Sequence, residues 1–174
     1  MPKISANQVD SDEKKIMLEL QKNSNENIDV LAKRCGFSRQ KVWRIINKLE
    51  SDKTIWGYHA VIDAEKLHQK SYILLIKKAN TPISDILDII LSREAERIAE
   101  ELDVFIFSSS YLHGSYDWQI TFRAEDIRIA KKFCEKLNRL YQTHVGEIML
   151  IEEIFAVKYC GVRNPDIKKL KEFV

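Results

Sequence analysis

Residues 28–52 read IDVLAKRCGFSRQKVWRIINKLESD, and this stretch decides the fold of the first part of the chain. Its opening predicts a short helix over residues 28–35, with Leu31 and Ala32 turned inward. Gly36 can adopt the left-handed conformation that ends a helix, and Ser38 can cap the next one. A helix, a three-residue turn with glycine and a second helix are typical of a helix-turn-helix motif.

The helix predicted from Ser38 to about residue 52 has two different faces. Its apolar stripe contains Val42, Ile45 or Ile46, and Leu49. The opposite face carries polar and aromatic side chains: Arg39, Gln40, Trp43, Arg44, Asn47 and Lys48. Arginine can read guanine through two hydrogen bonds, and glutamine or asparagine can read adenine, so this face has suitable chemistry for base edges. The alternative interpretation is an ordinary solvated helix face.

Charge supports the first interpretation. The whole chain has a formal net charge of only +2, but residues 30–56 contain seven basic residues against two acidic ones. A local positive patch beside a nearly neutral remainder indicates an anion-binding module joined to a second part of the chain with another role. We expect Lys33, Lys41, Lys48 and Lys53 to neutralise DNA phosphates, and Ser38 to offer its backbone amide to one.

The flanking segments complete a first domain, which we place at residues 1–62. Asp10 can cap an earlier helix that carries Glu13 three residues on, as in a capping box. Residues 54–62 are rich in aromatic and β-branched side chains and predict a strand that would form a wing. Residues 63–69 are polar and are predicted to be a linker.

The remaining residues predict a second domain with the element order β-α-β-β-α-β over residues 70–157. The first helical region, residues 82–103, has a break near Ser92, and the two central strands form a hairpin around residues 113–117. This order predicts a ferredoxin-like antiparallel sheet with both helices on one face, and hence an α+β protein. The uncovered sheet face favours a homodimer. Residues 158–174 form a tail that we predict to contain a short helix.

Composition narrows the classes of function. The 174 residues include no apolar run long enough to span a bilayer and no signal-peptide core, so we expect a cytoplasmic protein without membrane contact. Three scattered cysteines and four scattered histidines lack the spacing of a metal site or a redox dithiol. No glycine-rich phosphate loop is present among five glycines. We therefore expect neither a metal nor a cofactor.

These motifs together resemble the Lrp/AsnC family of transcription regulators, also called feast/famine regulatory proteins. The resemblance covers residues 9 to about 157. In the first domain it rests on residues 9–12, 31–38 and 55–58, and in the second on the turn Gly114-Ser115-Tyr116-Asp117. The long segment 82–103, His113 and the tail depart from the usual family pattern.

The resemblance implies a sequence-specific DNA-binding regulator that senses an amino acid or a related small molecule. It also implies dimers that assemble further into tetramers or octamers. By position, Tyr111, Gly114, Ser115, Tyr116 and Asp117 would line the effector site. Turn amides can hold a carboxylate, and the Asp117 carboxylate could hold an ammonium group. The alternative for these residues is simply a good turn.

A second function remains open because siroheme decarboxylases share this architecture. Such an enzyme would bind a large tetrapyrrole at the second domain and use histidine and arginine residues there. His113, His144 and Arg123 are the available residues. The chain lacks the Arg- and Asn-rich strand and turn pattern of that group, so we expect a protein that is not an enzyme.

Overall fold

The computed structural model describes residues 11–80, 82 and 84–174, which divide into two compact units. The first unit reaches to Val61 and also includes Val157–Ile167. The second unit comprises Ile62–Ala156 and Lys168–Val174. The chain therefore leaves the first unit, forms most of the second, and returns to the first near its end. The domain boundaries predicted from the sequence stay a prediction.

Three helices form the first unit: α1 (Ser11–Lys22), α2 (Ile28–Cys35) and α3 (Arg39–Ser51). The predicted capping residue Asp10 lies outside the described residues. Helix α2 ends at Gly36, whose φ of 70° is the left-handed conformation that the sequence predicts. The Ser38 hydroxyl oxygen accepts a hydrogen bond from the Lys41 amide at 3.3 Å and so caps α3. The predicted helix-turn-helix is confirmed.

A small apolar core holds these helices together. Ile16 from α1, Leu31 from α2, and Val42 and Leu49 from α3 are all buried. Ile45 belongs to the same buried cluster, whereas Ile46 is only half-buried and packs at its edge. The register of α3 is therefore fixed by Val42, Ile45 and Leu49.

The predicted strand over residues 54–62 is wrong, because the structure has no strand there. The Ile55 amide instead donates to the Leu49 carbonyl at 2.9 Å and closes the end of α3. Strand propensity reflects fit to a paired, half-buried surface, and this segment lacks such a pairing partner among the described residues. The first unit contains a different hairpin, formed by β5 (Lys158–Tyr159) and β6 (Val162–Arg163).

The second unit has the predicted β-α-β-β-α-β order with the first helix divided in two. Its elements are β1 (Lys70–Lys78), α4 (Ser84–Leu91), α5 (Glu94–Glu101), β2 (Phe105–Tyr111), β3 (Trp118–Ala124), α6 (Ile127–Tyr141) and β4 (Val145–Glu153). The four strands pair antiparallel in the order β2-β3-β1-β4. The break falls at Ser92 and Arg93, and Arg93 has a φ of 59°. The predicted α+β fold class is confirmed.

The two faces of the sheet differ in burial. One face packs against α5 and α6 through fully buried side chains such as Tyr72, Leu74, Phe122 and Phe133. The other face places Ile73 opposite Ile151 and Leu75 opposite Met149. Met149 and Ile151 are 40% and 39% exposed, so this second face is apolar and only partly covered.

The end of the chain contains a 3-10 helix at Ile167–Glu172, within the tail where the sequence predicts a short helix. After it, the Phe173 ring packs against Phe155 with 5.6 Å between ring centroids. A further 3-10 helix, Ala64–Leu67, precedes β1, and another, Gln142–His144, precedes β4. None of the described helices has the length and apolar character needed to cross a membrane.

Candidate DNA-binding surface and effector turn

One side of α3 presents the side chains that the sequence predicts to read bases. Gln40, Trp43, Arg44 and Asn47 share this side because they are spaced three and four residues apart. Trp43 is 61% exposed, although a tryptophan has a large apolar surface. Gln40 and Arg44 are also exposed, and Asn47 is half-buried. The structure therefore brings these four predicted residues together on one exposed surface, the reading face.

The start of α3 adds Ser38 and Arg39. The Ser38 side chain is already engaged as the helix cap. Arg39 lies at the edge of the reading face, and its Nη1 atom is 3.4 Å from Asp29 Oδ2. Both partners of this ion pair are well exposed, so the pair is weak and Arg39 can exchange it for another anion.

Lys41 and Lys48 lie on a different flank of α3, which faces α1. The Lys41 Nζ atom is 2.5 Å from Asp12 Oδ2 and 4.1 Å from the centre of the Phe37 ring. Lys48 forms an ion pair with Glu13, a carboxylate that is itself buried. These acidic partners are 29 and 35 residues away in the sequence, so no local pattern indicates them. Both lysines connect helices within the unit.

The remaining two predicted lysines, Lys33 and Lys53, are exposed. Lys33 lies in the last turn of α2. Lys53 follows α3 with a φ of 63°, and its amide donates to the Glu50 carbonyl at 3.2 Å. Unlike Lys41 and Lys48, neither side chain forms an ion pair with a described acidic residue.

Glu50 is a residue of this surface that the sequence does not single out. The Tyr58 hydroxyl donates to Glu50 Oε1 at 2.9 Å and so connects the segment after α3 to the helix. Partial burial, together with the nearby Glu50 carboxylate, raises the pKa of Tyr58 to about 12. Tyr58 therefore keeps its proton, and with it this hydrogen bond, at physiological pH.

The predicted effector residues lie at the turn between β2 and β3. The Asp117 amide donates to the Ile76 carbonyl at 2.9 Å, and the Leu112 amide donates to the Asp117 carbonyl at 2.7 Å. The Asp117 carboxylate accepts a hydrogen bond from the Lys78 amide at 2.9 Å through Oδ2. Asp117 thus joins the hairpin to the end of β1, which is a structural role in addition to any contact with a ligand.

The other turn residues differ in how firmly they are held. Gly114 and Ser115 are exposed, and a Cβ atom at Gly114 would meet no atom within 4 Å. The Tyr116 hydroxyl lies 3.5 Å from Glu147 Oε1, and partial burial and this carboxylate raise the pKa of Tyr116. Tyr111 packs on Trp118 with 5.6 Å between ring centroids.

Tyr111 and Asp117 also line a small apolar cavity of about 50 Å³ beneath α4. Its apolar walls include Ile86, Ile90 and Trp118, and His144 lies at its lining as well. Two of the five predicted effector residues therefore border this cavity, whereas Gly114 and Ser115 lie on the surface.

The residues needed for the enzymatic alternative do not come together. Arg123 pairs in register with Ser71, near the start of β1. His144 lies at the opposite end of that strand, where its carbonyl accepts from the Ala79 amide, and His113 is exposed in the β2–β3 turn. No cluster of three or more His, Cys, Asp or Glu side chains within residues 11–80 and 84–174 could hold a metal ion.

Comparison with known proteins identifies the first unit. Residues 13–55 match the family model described as winged helix-turn-helix DNA-binding. No curated protein matches the chain.

Solved structures match most of the chain. An AsnC family transcriptional regulator from Agrobacterium tumefaciens is 24% identical with a TM-score of 0.62, over 86% of this chain and 93% of that one. A transcriptional regulator from Neisseria meningitidis, solved with L-methionine, is 17% identical with a TM-score of 0.65, over 86% and 92%. A feast or famine regulatory protein from M. tuberculosis, also complexed with L-methionine, is 18% identical with a TM-score of 0.65, over 87% and 95%. The chain therefore carries a winged helix-turn-helix DNA-binding domain and, over most of its length, has the fold of the Lrp/AsnC transcription regulators.

Proposed function

We propose that this protein is a sequence-specific transcription regulator that binds double-stranded DNA and responds to an amino acid or a related small molecule. The observation that carries the proposal is the reading face of α3, where an exposed tryptophan lies among guanidinium and amide groups. Exposed apolar surface of this size is costly unless a partner covers it. The proposal needs no cofactor and assigns no reaction, and it places the protein in the cytoplasm with the DNA.

Roles within the surface follow from side-chain chemistry. Arg44 and Gln40 are proposed to contact base edges, with Arg39 and Asn47 beside them and Trp43 packed against the duplex. Lys33 and Lys53 are proposed as the main phosphate contacts, because they are exposed. Lys41 and Lys48 are proposed to contact phosphates only while each also remains in its ion pair, with Asp12 and Glu13 respectively.

A homodimer is part of the proposal because the second sheet face is apolar and only partly covered. A second copy of this chain can bury that face, and two reading faces then contact two half-sites on one duplex. Tetramers or octamers would be assembled from such dimers.

The effector proposal rests on the β2–β3 turn. Exposed turn amides around Gly114 and Ser115 can bind a carboxylate, and Asp117 keeps one carboxylate oxygen, Oδ1, for an ammonium group. Tyr111 and Tyr116 would flank the ligand. Two structural neighbours were solved with L-methionine, which supports a test with amino acids.

The proposal is tested by selecting bound sequences from random duplex DNA, with and without a panel of amino acids. The selection uses the natural protein, Arg44→Ala and Lys33→Ala. Arg44→Ala should weaken binding to the selected sequence by about 1 to 3 kcal/mol and relax the preference at one or two positions. Lys33→Ala should weaken all sequences evenly and reduce the salt dependence.

The results separate the parts of the proposal. Failure of the natural protein to enrich any sequence would refute specific DNA binding. If Arg44→Ala reduced binding to selected and random DNA equally, Arg44 would be a phosphate contact and the assigned reading face would be wrong. An enriched sequence that no amino acid alters would refute the effector role alone.

A further inference from the structure

Residues 157–167, here called the C-terminal arm, form an ordered element that returns to the DNA-binding unit. Lys158 pairs with Arg163 and Tyr159 with Val162 in an antiparallel hairpin, and the Asn164 amide donates to the Val157 carbonyl at 3.1 Å. Gly161 forms the turn with a φ of 86°. Phe155 precedes the arm in the chain and Phe173 follows it. The rings of these two residues pack together within the second unit.

The tip of the arm lies beside the segment that follows α3. Cys160, Gly161 and Val162 line a groove of about 800 Å³ together with residues 54–61 and the end of α1. A Cβ atom at Gly161 would lie 3.7 Å from the Gln21 carbonyl oxygen. In a winged helix domain, the wing is a β-hairpin that packs beside the helix-turn-helix. Residues 54–62 contain no strand, so the arm is the hairpin available for this role among the described residues of the first unit.

The charges of the arm indicate what it contacts. Lys158 and Arg163 lie directly opposite each other on adjacent strands, and both are exposed. Like charges in this position repel and cost stability. Neither forms an ion pair with an acidic residue in the part of the chain that the structure describes. A phosphate group held by both cations would remove the repulsion and bind each of them.

We propose that the C-terminal arm is a wing of the DNA-binding unit, and that Lys158 and Arg163 bind phosphates of the duplex beside the sequence read by α3. This inference rests on the proposed DNA-binding function. It adds a contact supplied by the C-terminal arm. This contact carries no base preference, because phosphates are the same in every sequence.

Cys160 at the tip of the arm allows the proposal to be tested directly. A chelated iron that cleaves DNA can be attached to this exposed thiol in the full-length protein. Cys35 is buried, and burial raises the pKa of the half-buried Cys134 to about 12, so these two thiols react slowly. The probe is a duplex carrying the selected sequence. Cleavage should appear beside that sequence and be absent from a Cys160→Ser control treated in the same way. A bound duplex that is not cleaved above the control would overturn the proposal.

A charge variant tests the two cations themselves. Lys158→Gln with Arg163→Gln should lower the slope of log affinity against log salt by about 1 to 2, since each phosphate contact contributes about 0.9. The bases preferred in the selection should stay the same. Lys131→Gln with Lys132→Gln on α6 is the matched control, because it removes the same charge from exposed positions of the second unit.

An unchanged slope in the arm variant, or an equal decrease in both variants, would overturn the proposal. A changed oligomeric state with an unchanged slope would assign the arm to a protein contact and would also overturn it. If the natural protein bound no duplex at all, the proposed function would fail first, and that failure is visible before either variant is made.

Discussion

Lys48 and Lys33 carry the same charge, but their surroundings give them different tasks. Lys48 pairs with the buried Glu13 carboxylate, whereas Lys33 is exposed near the end of α2. Lys48→Ala would leave a carboxylate in a mostly desolvated position and should reduce the free energy of unfolding by roughly 1 to 2 kcal/mol. Lys33→Ala should change it by less than about 0.5 kcal/mol. Urea unfolding measures both, and equal effects would show that the ion pair is not stabilising.

Tyr72 offers a second test at the level of one side chain. It is fully buried, and its hydroxyl has no hydrogen-bond partner among the described residues. Tyr72→Phe removes this unsatisfied group, so we expect the free energy of unfolding to rise by about 0.5 to 1.5 kcal/mol.

The Tyr72 prediction has a defined pH dependence. Burial, with smaller contributions from Glu152 and Asp126, raises the pKa of Tyr72 from 10 to about 12. A raised pKa contributes stability below pH 10 that is lost as the pH rises from 10 to 12. Tyr72→Phe cannot suffer this loss, so its advantage should be larger at pH 11 than at pH 7. Thermal unfolding at the two pH values measures it, and the same advantage at both would contradict the assigned burial effect.

At the scale of elements, the turn between α2 and α3 controls the reading face. The Ser38 hydroxyl is the N-cap of α3. Ser38→Ala should cost about 1 kcal/mol of stability, whereas Ser38→Asp should retain most of it, because aspartate is an equally good cap. Circular dichroism during urea unfolding gives both values. A loss of the same size in Ser38→Asp would mean that the hydroxyl does more than cap the helix.

The sequence predicts well those elements that are determined by residues close together in the chain. Gly36, Ser38 and the apolar spacing of Val42 and Leu49 are local signals, and the helices follow them. The β2–β3 hairpin and the break at Ser92 follow local signals too. Residues 54–62 show the limit, since strand propensity cannot reveal whether a pairing partner is available.

In the candidate site, too, local spacing could be predicted from the sequence, whereas contacts between residues far apart in the chain could not. The spacing of Gln40, Trp43, Arg44 and Asn47 places them on one face, because helical periodicity alone determines it. The partners of Lys41 and Lys48 could not be predicted, because Asp12 and Glu13 come close only after the helices pack. The hydrogen bond from the Lys78 amide to Asp117 is also long-range and gives that turn residue a second role.

At the scale of the whole molecule, the partly covered sheet face should control assembly. Ile151→Lys places a charge opposite Ile73 on that face, and burying it between two copies would be costly. We expect this variant to dissociate the proposed homodimer into monomers in analytical ultracentrifugation.

Leu91→Lys is the matched control for assembly. Leu91 is 75% exposed on α4 and lies outside the sheet, so this substitution should leave the proposed homodimer intact. A dimer that persists in Ile151→Lys and dissociates in Leu91→Lys would place the interface on the helical side instead.

The return of the chain to its first unit also has a consequence for biosynthesis. Helices α1, α2 and α3 are made before the sheet of the second unit, whereas residues 157–167 are made after it. The first unit is thus completed only after the intervening sheet has been synthesised. A nascent chain that stalls after β4 would expose three helices without their hairpin, so the DNA contact proposed for the arm should arise only once residues 157–167 have been made.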